Sequence, residues 1–213
     1  MTFLFDGPAL ADVRIVLAHG AGAGQDSVIL TALAARWAAS GIAVMRFNFA
    51  YMDHIQRTGR RRPPPPVASL ADEYMAAVHH ADVLHGPAQI MLFAGKSMGA
   101  RVAAAAAVTA CPAGFAALGY PFHPAGRPAV RRDGALRALP CPGLVVQGSR
   151  DRLGLPGEVE SYGLPGSVSL HWVAGADHDM KPRRRDGRTH DECLDEAAQA
   201  VVRFAGGLRH RYA

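Results

Sequence analysis

Short apolar runs recur along the chain, separated by segments in which apolar residues return every third or fourth position. Residues 14–18, 42–47, 89–94, 115–120, 143–147 and 167–173 are of strand length. Their near-continuous apolarity suits strands buried on both faces of a parallel sheet. Between them, residues 27–39 place Leu30, Leu33, Ala34 and Trp37 on one helical face, with Asp26 as the expected cap and Gly41 as the stop. A second helix is predicted from Ser69, with Leu70, Tyr74, Ala77, Val78 and Ala81 at helical spacing. An alanine-rich helix is expected from Met98 to about residue 109, and a short one over residues 130–138. The last helix starts at a capping box of Thr189 and Glu192 and ends at Gly206-Gly207. Residues 2–5 read as an edge strand. Residues 54–66, polar and with four consecutive prolines, read as a surface loop in polyproline II geometry. This alternation predicts an α/β fold: a mostly parallel central sheet with helices on both faces. One domain over residues 1–213 is expected.

Composition narrows the class. At 213 residues with 49% apolar and 19% charged positions, the chain can bury a sizeable core. No apolar run reaches the about 18 residues of a membrane span. The N-terminal stretch lacks a basic start and a long apolar region, so no signal peptide is expected. Cys111, Cys141 and Cys193 are scattered without a C-x-x-C, which fits reduced thiols and a cytoplasmic address. The net charge of +5 comes from arginines spread through loops. Arg60-Arg61-Arg62 and Arg183-Arg184-Arg185 are not interleaved with aromatics, so they read as solvated loop charge rather than a nucleic-acid surface. The expected partner is a small-molecule substrate, with neither nucleic acid nor membrane. A homodimer stays open.

One stretch carries specific chemistry. Gly95-Lys96-Ser97-Met98-Gly99 stands between the apolar run ending at Ala94 and the alanine-rich helix. This is G-x-S-x-G in strand-turn-helix context, a nucleophile elbow. The turn holds serine in a strained backbone conformation, and a side chain at either glycine would strike the neighbouring strand or helix. A phosphate-binding loop would need a glycine at position 90, which is Ile90. A dinucleotide fingerprint fails at Gln25 and Ser27, where the third glycine would fall. Histidines 79, 80 and 85 have no carboxylate or cysteine at metal-ligand spacing, and no metal is expected.

A serine nucleophile needs a base, and the base an orienting acid. Asp151 follows the run at 143–147 through a tight glycine turn and is the expected acid; the slot after residues 115–120 holds no carboxylate. His178 follows the last strand and is the expected base, ahead of His171 within that strand, His190 in the capping box and His210 in the tail. Two N–H donors must meet the oxyanion of acyl transfer. Met98, just after the nucleophile, should supply one. The glycine-rich turn His19-Gly20-Ala21-Gly22 should supply the other, from Ala21, with Gly22 next. Tyr120 and Asn48, at strand ends, are expected to bind substrate together with Lys96. Lys96, one of only two lysines, holds an anionic substrate, pairs with a buried carboxylate, or is a partly exposed side chain of no consequence; a preference for carboxylate or phosphate substrates is the expectation.

With Phe47-Asn48-Phe49-Ala50-Tyr51 and Leu118-Gly119-Tyr120-Pro121-Phe122-His123-Pro124, these motifs make the chain resemble the α/β-hydrolase superfamily. The closer similarity is to a small branch of it. That branch includes bacterial proteins labelled dienelactone-hydrolase-like, testis-expressed proteins and the third regulatory subunit of the NSL acetyltransferase complex. The resemblance spans nearly the whole chain and implies Ser97 as nucleophile, Asp151 as acid and His178 as base. No insertion after residues 115–120 is long enough for a large cap domain, which implies a shallow, open site and argues against long acyl chains. The expected activity is that of a serine hydrolase cleaving a small carboxylic ester, thioester or lactone through an acyl-enzyme, with no cofactor. The alternative is a binding or scaffold protein that keeps the fold without useful catalysis, since fold does not dictate function.

Overall fold

The computed structural model describes residues 2–212, with side chains through Arg209, so the side chain of His210 falls outside it. Seven strands form one sheet: β1 (Phe3–Asp6), β2 (Val13–Ala18), β3 (Ala43–Phe47), β4 (Ile90–Lys96), β5 (Gly114–Leu118), β6 (Gly143–Gly148) and β7 (Val168–Val173). Their order is β1-β3-β2-β4-β5-β6-β7. Only β1 runs antiparallel, pairing Phe3 with Phe47 at the sheet edge. The strands are joined by connections carrying six helices, α1 (Val28–Ala39), α2 (Ala50–Thr58), α3 (Val67–His85), α4 (Met98–Ala110), α5 (Gly134–Arg137) and α6 (Pro156–Ser161), and α7 (His190–Tyr212) follows β7.

Strand alternation divides the apolar residues between two cores. On β2, Ile15 and Leu17 face one side with Leu33 and Trp37 of α1 and Val201 of α7. Val16 and Ala18 face the other with Tyr74 and Ala77 of α3 and Ala103 of α4. Trp37 donates its indole N–H to Ala198 O at 3.2 Å, tying α1 to α7. The buried Tyr74 hydroxyl donates to Val16 O at 2.6 Å and accepts from Ala94 N at 2.9 Å. One side chain thereby stitches α3 to both β2 and β4.

Several elements differ from expectation. The loop predicted over residues 54–66 contains most of α2. Tyr51 and Met52 are buried at its start, Glu73 accepts from Ala50 N at 2.7 Å in place of a capping side chain on α2 itself, and left-handed Gly59 ends it. Its nine residues are too polar for an apolar count to reveal. α3 starts at Val67, straight after Pro66, rather than at Ser69. Asp26 does not cap α1: Ser27 occupies that position without a side-chain bond, and Asp26 accepts from Gln56 instead. The short helix shrinks to α5, and α6 was not foreseen. The final helix runs through Gly206-Gly207, because buried Leu208 anchors the extra turn against the core. The Thr189–Glu192 capping box forms in both directions, at 2.7 and 3.2 Å. Residues 119–133, after β5, carry no helix and build no cap. Among the described residues, no helix is long and apolar enough to cross a membrane.

Candidate active site

β4 ends at Lys96 and α4 begins at Met98, so Ser97 alone makes the turn, at φ 56° and ψ −117°. For a residue with a Cβ this conformation stores about 1–3 kcal/mol and needs firm support. Ser97 N donates to Leu118 O on β5, and Ser97 O accepts from Ala100 N, both at 3.0 Å. The flanking glycines leave room for close packing. A Cβ on Gly95 would lie 2.2 Å from the Gly99 carbonyl carbon, and one on Gly99 would lie 2.5 Å from Ala18 O and His19 O. Helix α4 is thereby drawn onto the ends of β4 and β2.

The Ser97 hydroxyl points at His178, with Oγ to Nε2 at 2.9 Å. Nδ1 of His178 lies 2.7 Å from Asp151 Oδ2. A carboxylate only accepts, so Nδ1 carries the proton and Nε2 is left to accept from serine. Asp151 is fully buried. Its Oδ2 also accepts from Gln147 Nε2 at 2.8 Å, and its Oδ1 from Leu153 N at 2.9 Å. Gln147 is braced in turn by donating to Tyr120 O at 3.2 Å. Gly148 lets the loop bearing His178 lie across the end of β6, where a Cβ would come 2.3 Å from Asp177 O. Within that loop Asp177 Oδ1 accepts from Asp179 N and Lys181 N, both at 2.9 Å.

The turn after β2 is clamped from below. Phe49 N donates to His19 Nε2 at 3.1 Å, so Nδ1–H of His19 donates to Gly20 O at 2.7 Å. Burial lowers the His19 pKa and keeps the ring neutral. The Tyr51 hydroxyl, pushed up to about 12 by burial, donates to Ala21 O at 3.2 Å. Asn48 Oδ1 accepts from Gln25 N at 2.8 Å. Buried Arg46 donates to Gln25 O at 2.8 Å while pairing with Asp6. The turn is thus held by β3 and α2 in a single shape.

A cavity of about 260 Å³ opens above these parts, walled by Gly20, Ala21, Gly22, Lys96, Ser97 and His178 among others. As the first residue of α4, Met98 has an N–H without an acceptor inside the helix, and it borders Ser97. Lys96 lies in the cavity wall, almost wholly buried, with Nζ 3.1 Å from Asp179 Oδ1. Burial lowers its pKa, opposed by the Asp179 charge. Burial raises that of Asp179, but the Lys96 ammonium outweighs it and leaves the carboxylate below its usual range. A larger hollow of about 640 Å³, lined by Cys141, Arg203 and Leu208 among others, lies at the opposite ends of the strands from Ser97.

Of the residues singled out from the sequence, Ser97, Asp151, His178, Ala21, Gly22 and Lys96 come together at this cavity or directly behind it, with Met98 at the elbow. Tyr120 and Asn48 do not. Tyr120 is fully buried with its hydroxyl donating to Arg132 O at 2.9 Å, and Asn48 is spent on the turn after β2. Both side chains are taken up by internal hydrogen bonds, and neither lines the cavity. His171 reaches Glu196 at 3.1 Å and His190 reaches Asp179 O at 2.9 Å, both away from Ser97. Sequence reasoning gave no role to His19, Tyr51 or Gln147, although each stands in a stretch it quotes, and it set Asp179 aside as too close to the expected base to orient it. Among the described residues no cluster of histidine, cysteine, aspartate or glutamate could hold a metal ion.

The model of an alpha/beta hydrolase domain matches residues 11–206. The chain belongs to the alpha/beta hydrolase family. Among solved alpha/beta hydrolases it is similar to a serine hydrolase homologue from Coxiella burnetii, at 19% identity and a TM-score of 0.72 over 94% of this chain and 89% of that one. A serine hydrolase without a lid from Xanthomonas campestris shares 22% identity, at a TM-score of 0.68 over 95% and 88% of the two chains. A dienelactone hydrolase from Anabaena variabilis shares 20%, at 0.68 over 93% and 88%. At such identities the likeness speaks for the fold. Among curated proteins none matches the chain. The expected similarity to testis-expressed proteins and the NSL subunit is not shown by these matches.

Proposed function

We propose that this alpha/beta hydrolase is a serine hydrolase that cleaves a small carboxylic ester, thioester or lactone through an acyl-enzyme. The observation that carries the reading is the unbroken hydrogen-bonded row from Ser97 Oγ through His178 to the buried Asp151. In this scheme His178 Nε2 takes the hydroxyl proton as Ser97 Oγ attacks the carbonyl carbon. Charge moves to the carbonyl oxygen, where the N–H groups of Met98 and Ala21, with Gly22 next in line, accept it as hydrogen-bond donors. Such a donor is worth about 3–4 kcal/mol of transition-state stabilisation. His178 then returns the proton to the leaving group. Water, activated by the same nitrogen, releases the acid. Asp151 stabilises the imidazolium at both stages and holds the ring tautomer.

The small cavity and the absence of a cap over residues 119–133 support short substrates. The three free cysteines fit a reducing compartment, and a cytoplasmic site of action goes with the proposal. Turnover of p-nitrophenyl acetate tests it. Ser97→Ala should lower kcat by about 10⁴-fold or more, whereas undiminished turnover in this variant would overturn the reading.

A further inference from the structure

Lys96 immediately precedes the proposed nucleophile, and Asp179 immediately follows the proposed base. Their ion pair, 3.1 Å long, runs beside the 2.9 Å bond between Ser97 and His178. Elbow and base loop are therefore joined twice at one level. The partners differ in setting: the Lys96 side chain is 6% exposed and that of Asp179 57%. Burying an ammonium this deeply is costly, so the lysine is sustained by what it holds.

The loop's other bonds explain why a strap is needed. Asp177 folds the loop on itself, His190 of α7 bonds the Asp179 carbonyl, and Ala176 O accepts from Arg150 N at the end of β6. These keep the loop's shape and seat it on β6. Among the described residues, the bonds crossing from this loop to the elbow are the ion pair and the Ser97–His178 bond itself. The latter must break and reform with each proton transfer. The ion pair does not.

We propose that the Lys96–Asp179 pair is a strap that holds His178 over Ser97, which makes both of them positioning residues. Its effect on rate rests on the serine-hydrolase reading. The rival role for Lys96 is selection of anionic substrates, but its charge is already matched by Asp179, so the cavity presents a neutral pair.

Lys96→Met and Asp179→Asn separate the two roles. With neutral p-nitrophenyl acetate, each should lower kcat by on the order of ten- to a hundredfold, the cost of roughly an ångström of misplacement. KM should stay within about twofold, the double variant should be no worse than the poorer single one, and Asp179→Glu should recover most of the loss. The strap is overturned if Lys96→Met leaves the neutral ester untouched and raises KM only for an anionic one such as mono-p-nitrophenyl succinate. It is equally overturned if Asp179→Asn speeds the anionic ester. Lys96→Met removes the buried charge together with its bond, so it stays folded even where Asp179→Asn strands an ammonium. A second readout needs no turnover: the low-field Nδ1–H proton resonance of His178 should broaden by exchange in Lys96→Met and stay sharp in the wild type. An unchanged resonance contradicts the strap. A resonance that responds in a protein hydrolysing no ester, thioester or lactone supports the strap and refutes the hydrolase reading instead.

Discussion

Gly99→Ala sets two rules against each other. In a helix interior, alanine is favoured over glycine by about 0.5–1 kcal/mol, and in the first turn, where Gly99 stands, by at most that much, so propensity alone predicts no loss of stability. The contacts predict the reverse. A Cβ at Gly99 would sit 2.5 Å from the carbonyl oxygens of Ala18 and His19, against the 3.4 Å at which ordinary contact begins. Those oxygens belong to backbone at the end of β2, which cannot swing aside as a side chain would. The first turn of α4 must therefore back away by about 0.9 Å, at the roughly 1–3 kcal/mol typical of overpacking. Net stability should fall by up to about 2.5 kcal/mol once the helical gain is set against it. Activity should fall further, since the same shift separates the Met98 N–H from the turn bearing Ala21, and about 1 Å of misplacement costs on the order of a hundredfold. Thermal unfolding and kcat/KM on p-nitrophenyl acetate, measured on one preparation, give both numbers. Gly206→Ala in α7, where a Cβ meets nothing within 4 Å, is the control and should gain stability without loss of rate. Wild-type activity and stability in Gly99→Ala would refute the close-packing account of the elbow.

Tyr74→Phe strips one buried hydroxyl from Val16 O and Ala94 N and should cost about 2–4 kcal/mol in denaturant unfolding; a loss under about 0.5 kcal/mol would mean the two strands re-pair without it. Gln147→Leu removes a donor from Asp151 and the brace to Tyr120 O, and should lower kcat about tenfold with KM little changed. An unaltered kcat would leave the glutamine with no part in holding the acid. His19 gives a pH dependence. Burial lowers its pKa below 6.5, so between that lower folded value and 6.5 the unfolded chain binds the extra proton. Its contribution is full above pH 6.5 and is lost as pH falls toward the folded value, with a slope of at most about 1.4 kcal/mol per unit. In His19→Gln that component of the slope should vanish, and an identical pH profile would count against a buried neutral imidazole.

The sheet was legible because each central strand is nearly continuous in apolar residues, interrupted by at most one charged or amide side chain such as Arg14, Arg46 or Gln147. The elbow was legible because G-x-S-x-G reports a steric demand, and the collisions at Gly95 and Gly99 are that demand made visible. Chain order, a place directly after a strand and the family resemblance together singled out Asp151 and His178. What stayed hidden depends on which polar groups meet after folding. His19 and Gln147 look ordinary in sequence, and their bonds to Gly20, Phe49 and Asp151 appear only when strand ends converge. Helix α2 was missed because its stability comes from Glu73, on α3, and from two buried side chains rather than from a long apolar face. Tyr120 and Asn48 were misplaced for the converse reason. A strand end brings a residue near the site, but packing decides whether its side chain faces the cavity or the core.

The most direct test of the account is to treat the protein with a fluorophosphonate and map the adduct by peptide mass spectrometry. An activated hydroxyl at the elbow predicts a single phosphonylated residue, Ser97, with labelling slowed sharply by His178→Gln. Labelling at any other residue, or none at Ser97 in folded protein, would contradict it.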